Sequence, residues 1–489
     1  MEGGRPLSLD FVLSDQNPWW SDPASRPPIP ADLAKRGVDE ELGQAAQRDT
    51  ITALVGPRQV GKTTLMRRAI CALLDSGVPS DHVLYANFDT VLLASSSADP
   101  ISEVLEHFRR TVLRKEWRSA GSDVHVFLDE VHAADGWSSR LKGWYDLGLP
   151  IRFAISGSSS SDVLVGASES LTGRLTPHLI LPLSFAEFAS IRGPKEAPRW
   201  SAFASRLSED LFGAGRVSTR EFRGRFAEAL TGTPRGRTGM ETAFGLYLLR
   251  GGYPGILTQA DDGVALATLK AIGDLTVYKD LVRFHNIRNP KGLDRLVMTL
   301  AHESSSIVSY ESLSRDLGVN FRTLTDYIEF LESAWLFKRA PMYSRSARTV
   351  TRHRPKVHAV DPGIANAFRE GLGMTPGSER WQSRSVESTV FAHMLRLQLR
   401  RGRISGPGPW YWRHGSQGPE VDVVASVSGI LLPVEVKYAR RVEECDMRGL
   451  RAFLDEHDEA PLGIVASRDT FEMTDDAAVM PAWFLALLA

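Results

Sequence analysis

A parallel α/β protein is the fold class this sequence predicts, on two observations. From residue 51 onward, short apolar runs alternate with amphipathic segments, the pattern of a parallel sheet with crossover helices. The first apolar run also leads straight into a glycine-rich loop and then an amphipathic helical stretch.

The elements follow in order. Residues 1–48 read as an irregular, Pro-containing lead-in carrying Asn17-Pro18-Trp19-Trp20, with the paired tryptophans expected to clamp onto the core. Strands are expected at Ile51–Val55, Val83–Phe88, Val124–Leu128, Ile151–Ile155 and His178–Leu181. Helices are expected at Lys62–Leu74, Ile101–Arg118 and Trp137–Leu147. This core spans residues 49–192. Residues 193–305 begin with a Gly/Arg/Ser-rich stretch to about 240, read as an insertion or flexible linker, and continue as helices. Residues 306–378 hold a helix-turn-helix candidate, and 379–489 form a closing α/β segment.

Composition narrows the classes. With 43% hydrophobic and 24% charged residues and a formal net charge of −1, the chain is globular, and its overall charge selects no partner. Two cysteines, Cys71 and Cys445, cannot build a disulfide framework or a Cys-rich metal site, and a cytoplasmic setting is expected. Cys71 sits in an apolar helical run and reads as a buried thiol. No signal-peptide pattern opens the sequence, and no apolar stretch approaches the roughly 20 residues of a membrane span. A membrane partner is not expected.

The glycine-rich loop is Gly56-Pro57-Arg58-Gln59-Val60-Gly61-Lys62-Thr63, a complete G-x-x-x-x-G-K-[ST] pattern, followed by Thr64. Its backbone N–H groups can wrap phosphates at a helix N-terminus. Lys62 would reach the β- and γ-phosphates of ATP, and the Thr63 hydroxyl would ligate Mg²⁺. The apolar run His125–Leu128 ends in Asp129-Glu130, where Asp129 would hold Mg²⁺ and Glu130 would polarise the attacking water. Ser156 ends the next strand as a γ-phosphate sensor. Arg174 is either a finger on a neighbour's γ-phosphate, in a homo-oligomer, or one half of a surface salt bridge.

The segments QNPWW, VGPRQVGKTTL, FLDEVH, ISGSSS, ESLTGRL and LPLSFAEF, in this order, resemble a family of bacterial and archaeal AAA-type P-loop ATPases. The resemblance implies a helical and winged-helix middle and a C-terminal domain of unresolved function similar to a restriction-endonuclease core. The expected architecture is therefore an AAA-type parallel sheet, a winged-helix domain and a small α/β endonuclease-like domain.

In the middle, Tyr310–Val319 reads as a helix followed by a Gly-containing turn, and Asn320 caps a second helix through about Ser333, the helix-turn-helix pattern, which binds DNA or protein. From Lys338 to Lys356 seven residues are Lys or Arg and none is acidic, an electrostatic footprint that favours DNA. Asp361-Pro362-Gly363-Ile364 and Tyr253-Pro254 are assigned structural roles.

In the C-terminal segment Glu387 lies on an amphipathic helix, Asp422 on a strand, and Glu435-Val436-Lys437 on a third element, joined by a turn at Ser428-Gly429. Period-two alternation places Glu435 and Lys437 on one strand face, with Val434 and Val436 toward the core. This is the D…E-x-K arrangement, in which Asp422 and Glu435 would bind a divalent metal and Lys437 would activate water. The expectation is an ATP-hydrolysing protein that binds DNA and cleaves it in a metal-dependent way. The alternative is a nucleotide-switched scaffold whose later domains bind protein.

Overall fold

The computed structural model describes residues 8–30, 36, 49–94, 97–157, 171–213, 219–282, 287, 289–369, 374–401, 408–415 and 418–489. It divides into two compact units, Met1–Leu181 and Pro182–Ala489. No helix among the described residues is long and apolar enough to cross a membrane.

The first unit is built on five parallel strands: β1 (Ile51–Val55), β2 (Val83–Asn87), β3 (Val124–Asp129), β4 (Ile151–Gly157) and β5 (Leu175–Leu179), in the order β2-β3-β4-β1-β5. β1 and β3 are buried at every position, as expected of strands covered by helices on both faces. The order places β4 between β1 and β3, so the ends of all three converge.

The lead-in protects the β2 edge. Asn17 donates to Tyr85 O and accepts from Tyr85 N–H, both at 2.7 Å, in the manner of an added strand residue. The indole N–H groups of Trp19 and Trp20 donate to Val83 O at 3.0 and 2.8 Å. Covering an otherwise open edge removes a template for unwanted pairing.

The second unit contains two further sheets. β6 (Ser306–Ile307), β7 (Phe337–Ala340) and β8 (Lys356–Ala359) pair antiparallel in the order β6-β8-β7. Two helices, Tyr310–Leu317 and Phe321–Ser333, precede β7, with Gly318 in the left-handed region and the Asn320 side chain accepting from Arg322 N–H. The last sheet has six strands: β9 (Trp410–Arg413), β10 (Glu420–Val427), β11 (Ile430–Val436), β12 (Gly463–Ser467), β13 (Glu472–Met473) and β14 (Ala477–Pro481). Their order is β13-β14-β12-β11-β10-β9. Ser428 and Gly429 both have positive φ, the backbone a tight hairpin between β10 and β11 needs.

Four expectations require correction. The stretch read as a linker contains the helices Ala197–Phe212 and Thr219–Thr231, which bury Trp200, Leu207, Leu211, Phe222 and Phe226. Its arginines and glycines masked this regular apolar spacing. Cys71 is half-buried rather than enclosed. The helix carrying Glu387, Glu379–Arg401, is buried over most of its middle rather than on one face. Glu435 is buried while Val436 is half-exposed, because β11 is covered on both faces and alternation no longer separates core from solvent.

Two sequence motifs with no assigned chemistry meet inside this unit. The buried Asp361 carboxylate accepts from Gly252 N–H at 2.7 Å and Ile364 N–H at 3.0 Å. A Cβ on Gly363 would meet Arg250 O at 2.0 Å, so this crossing requires glycine. Nearby, His393 Nε2 accepts from Phe185 N–H and its Nδ1 faces Thr389 O. Burial, with Arg396 beside it, pushes the His393 pKa down to about 3.

His393 therefore stays neutral in the folded protein while its unfolded counterpart protonates near pH 6.5. Its stabilising contribution is complete above that pH and is lost as pH falls toward 3, at about 1.4 kcal/mol per pH unit. Urea unfolding of the full chain at pH 6.5 and pH 5 should differ by about 1.6 kcal/mol from this group. His393→Gln should remove that part of the slope.

Candidate functional site

The candidate nucleotide site lies where β1, β3 and β4 end. Gly56 takes φ 151°, and a Cβ there would lie 1.9 Å from Ile180 O, so only glycine lets the loop leave β1 in this direction. Gly61 (φ 98°) starts the helix Lys62–Asp75. Lys62 Nζ donates to Gly56 O and Pro57 O, each at 2.9 Å, which holds the ammonium inside the ring of the loop. Arg36, which the sequence reading did not single out, donates to Val60 O at 3.2 Å and to Leu181 O at 2.9 Å, fixing the outer turn.

Asp129 is completely buried and acts as the common acceptor. Its Oδ2 accepts from Thr63 Oγ1 and Tyr85 Oη, each at 2.7 Å, and from Asn87 Nδ2 at 3.4 Å. Ser156 Oγ donates to Oδ1 and accepts from Glu130 N–H at 3.0 Å. Burial, and then Asp129 beside it, raises the Tyr85 pKa far above the usual phenol range, so its proton stays on.

Glu130 sits in the left-handed region at φ 52°, a conformation that costs a non-glycine residue about 1–2 kcal/mol. Strain of this kind is held where the surrounding structure requires it. Burial raises the Glu130 pKa, with Lys62 opposing and Asp129 reinforcing the shift. Its Oε2 is buried without a hydrogen bond and lies 3.4 Å from His132 Nδ1.

The donor set fits Mg²⁺ and a nucleotide. Thr63 and Asp129 offer adjacent hard oxygens, Lys62 and the loop N–H groups would meet the phosphates, and Glu130 would accept a proton on its buried Oε2. When bound, Mg²⁺ would neutralise phosphate charge. Arg58, Gln59, Val60 and Thr64 complete the loop and first turn. Arg174 Nε pairs with Asp146 Oδ1 at 2.8 Å, so within this chain it makes the surface salt bridge.

In the second unit β10 and β11 pair with Val423 opposite Val434, bringing Asp422 beside Glu435. Glu387 joins them from its helix. Between Glu387, Asp422 and a further acid, Glu420, sits Lys356, the first residue of β8. Its Nζ lies 2.9 Å from Glu387 Oε1, 2.6 Å from Glu420 Oε1 and 3.0 Å from Asp422 Oδ1. Asp422 Oδ2 accepts from Val436 N–H at 2.9 Å, Glu420 also binds Arg413, and Glu435 pairs with Lys437 at 3.1 Å. Burial disfavours the Lys356 charge, but Glu387, Asp422 and Glu420 together hold its pKa well above the ordinary lysine value. Burial drives the pKa values of Glu387 and Glu435 upward. The point shared by Glu387, Glu420 and Asp422 does not fit a divalent metal as arranged, since the Lys356 ammonium occupies it. Among the described residues, no group of three His, Cys, Asp or Glu side chains is placed to hold one.

The basic run is also more occupied than expected. Lys338 lies over the Trp335 ring at 3.8 Å, Arg339 pairs with Glu332 at 2.5 Å, and Arg345 pairs with Glu459 at 2.7 Å. Arg354 lies 3.7 Å from Glu311, with both side chains exposed. These acids come from the preceding helices and from residue 459, beyond the run itself. A groove of about 590 Å³ remains, lined by Tyr310, Phe321, Thr325, Arg352, His353 and Arg354 among others.

Comparison with known proteins agrees with the first unit. Residues 48–189 match the family model of an AAA domain, 241–376 a domain of unknown function (DUF8612) and 382–485 another (DUF4143). The chain carries an AAA-type P-loop ATPase domain, followed by a helical middle and a small C-terminal sheet domain. An uncharacterized protein of Haemophilus influenzae is 21% identical over 83% of this chain and 87% of its own length. One of Mycobacterium tuberculosis is 23% identical over 92% and 84%. One of Methanocaldococcus jannaschii is 24% identical over 72% and 66%. A Walker-type ATPase of Pyrococcus abyssi aligns over 71% of this chain and 99% of its own, at 16% identity and a TM-score of 0.42.

Two substitutions separate phosphate binding from support of the carboxylates. Lys62→Ala should lower ATP turnover by at least about 100-fold. Ser156→Ala should leave ATP binding in place and lower kcat by about tenfold, since it frees one hydrogen bond to each of Asp129 and Glu130. Steady-state phosphate release and equilibrium binding of a fluorescent ATP analogue read the two effects.

Proposed function

We propose that this chain hydrolyses ATP at the Gly56–Thr64 loop, with Lys62 on the phosphates, Thr63 and Asp129 on Mg²⁺, Ser156 sensing the γ-phosphate and Glu130 as the water-polarising base. The observation that carries this reading is the Asp129 carboxylate. It is wholly buried and bonded to Thr63, Tyr85 and Ser156, which aligns the metal-side oxygens with the loop. Arg174 is available to a neighbouring copy only if its pair with Asp146 opens.

We further infer that the middle segment is a winged helix that contacts DNA, using the exposed Arg352 and Arg354 that line the groove beside the exposed Phe321, together with the exposed Arg322 and Arg348. Phosphate contact by such a cluster would be strongly salt-dependent. A protein partner is the second reading, and the pairing of Arg339, Arg345 and Lys338 within the chain favours it. Glu387, Asp422, Glu435 and Lys437 do not support metal-dependent cleavage, because Lys356 occupies the point that Glu387, Glu420 and Asp422 share.

Glu130→Gln should retain ATP binding and lose hydrolysis, as measured by phosphate release beside analogue binding. Binding of the full chain to labelled duplex DNA with ATP should weaken steeply between 50 and 200 mM salt, by on the order of 10-fold or more. Arg352→Glu combined with Arg354→Glu should reduce it. DNA binding absent at every salt concentration would favour the protein-partner reading.

A further inference from the structure

The cluster in the second unit is built like a metal site and filled like an ion-pair core. Three carboxylate oxygens, from Glu387, Glu420 and Asp422, surround one point at 2.6 to 3.0 Å, and the atom at that point is Lys356 Nζ. An ammonium donates three hydrogen bonds, and three acceptors take them. Two of the outward oxygens are occupied too, since Asp422 Oδ2 accepts from Val436 N–H and Glu420 Oε2 binds Arg413. Glu435, whose Oε1 pairs with Lys437 and whose Oε2 is buried without a hydrogen bond, is not among the three carboxylates in contact with Lys356.

Charge leads to the same place. Four carboxylates, Glu387, Glu420, Asp422 and Glu435, are matched by three cations, Lys356, Arg413 and Lys437. With all four ionised one net negative charge remains, and burial reduces it by favouring the protonated forms of Glu387 and Glu435; without Lys356 the cluster is one charge more negative. A hard divalent cation must shed water to bind, and it does so where several uncompensated carboxylate oxygens converge. Lys356 is also no mobile surface side chain. Its exposure is 4%, and it is anchored at the start of β8, whose next residues Val357, His358 and Ala359 are all buried.

We propose that Lys356 is a built-in replacement for a divalent metal, so that the C-terminal domain of this chain holds its acidic cluster together without a metal and does not cut nucleic acid through one. The ammonium does structurally what the metal does in a nuclease: it cancels the repulsion among carboxylates and fixes their geometry. It performs none of the chemistry, because it offers no open coordination position to a water or a phosphate. A further consequence is mechanical. Lys356 follows directly on Arg352–Pro355, which line the groove of the middle segment, so the ion cluster anchors one wall of that groove to the C-terminal sheet.

The test is Mn²⁺ binding to the full chain without nucleotide, read by electron paramagnetic resonance of free Mn²⁺, with thermal unfolding alongside. The wild type should show no Mn²⁺ site that Asp422→Asn abolishes, and its unfolding temperature should not respond to Mn²⁺ or EDTA through this cluster. Lys356→Ala should lose stability, gain one Mn²⁺ site that Asp422→Asn in the same background removes, and recover stability when Mn²⁺ is added. Where Lys356→Ala does not fold in the absence of metal, Lys356→Gln keeps a donor without the charge and should show the same gain. A wild-type Mn²⁺ site dependent on Asp422 would overturn the proposal whatever the variants do. So would a folded Lys356→Ala or Lys356→Gln that gains no Mn²⁺ affinity.

Discussion

A carboxylate removed from water must be given partners or lose its charge, and the ATPase core is arranged around one that is wholly buried. Asp129 ends the strand β3, and its oxygens are satisfied by Thr63 from the loop helix, Tyr85 from β2 and Ser156 from β4. Leaving such a group unpaired costs several kcal/mol. The strand order β2-β3-β4-β1-β5 is what supplies partners from both sides at once. The N-terminal lead-in belongs to the same arrangement, because Asn17, Trp19 and Trp20 pin the edge strand that carries Tyr85.

The same constraint, applied to charges of both signs, organises the second unit. Lys356 is buried among three carboxylates, Asp361 is buried against the Gly252 and Ile364 amides, and His393 is kept neutral between Phe185 and Thr389. Each ties together segments far apart in sequence. Asp361 joins the GGYP turn to the DPGI helix start, and Lys356 joins β8 to the helix Glu379–Arg401 and to β10. These polar anchors explain motifs that carry no evident chemistry of their own.

The ATPase core was legible because its signals are local. A strand, a glycine loop with a required φ, and a helix follow one another in the chain, and the carboxylates sit at a strand end. Arg36 escaped notice because a lone arginine outside any motif gives no sequence signal, and its role depends on reaching Val60 and Leu181 in space. Asp422 and Glu435 were readable as neighbours from hairpin spacing. Lys356 was not, because it closes a basic run and shares that run's composition. Its distinguishing mark is the apolar Val357-His358-Ala359-Val360 that follows, which declares a buried strand rather than a solvated wing. The acids that neutralise Arg339 and Arg345 lie outside the run, so counting charges within it overstated the field.

Mg²⁺-dependent ATP turnover by the full chain against Asp129→Asn tests directly whether Asp129 aligns the metal side of an ATPase site. That substitution keeps the size and most of the hydrogen bonding while removing the charge. Turnover should be measurable in the wild type and fall by at least about 100-fold in the variant, with the fold retained. Equal turnover in the two proteins would contradict that role of Asp129.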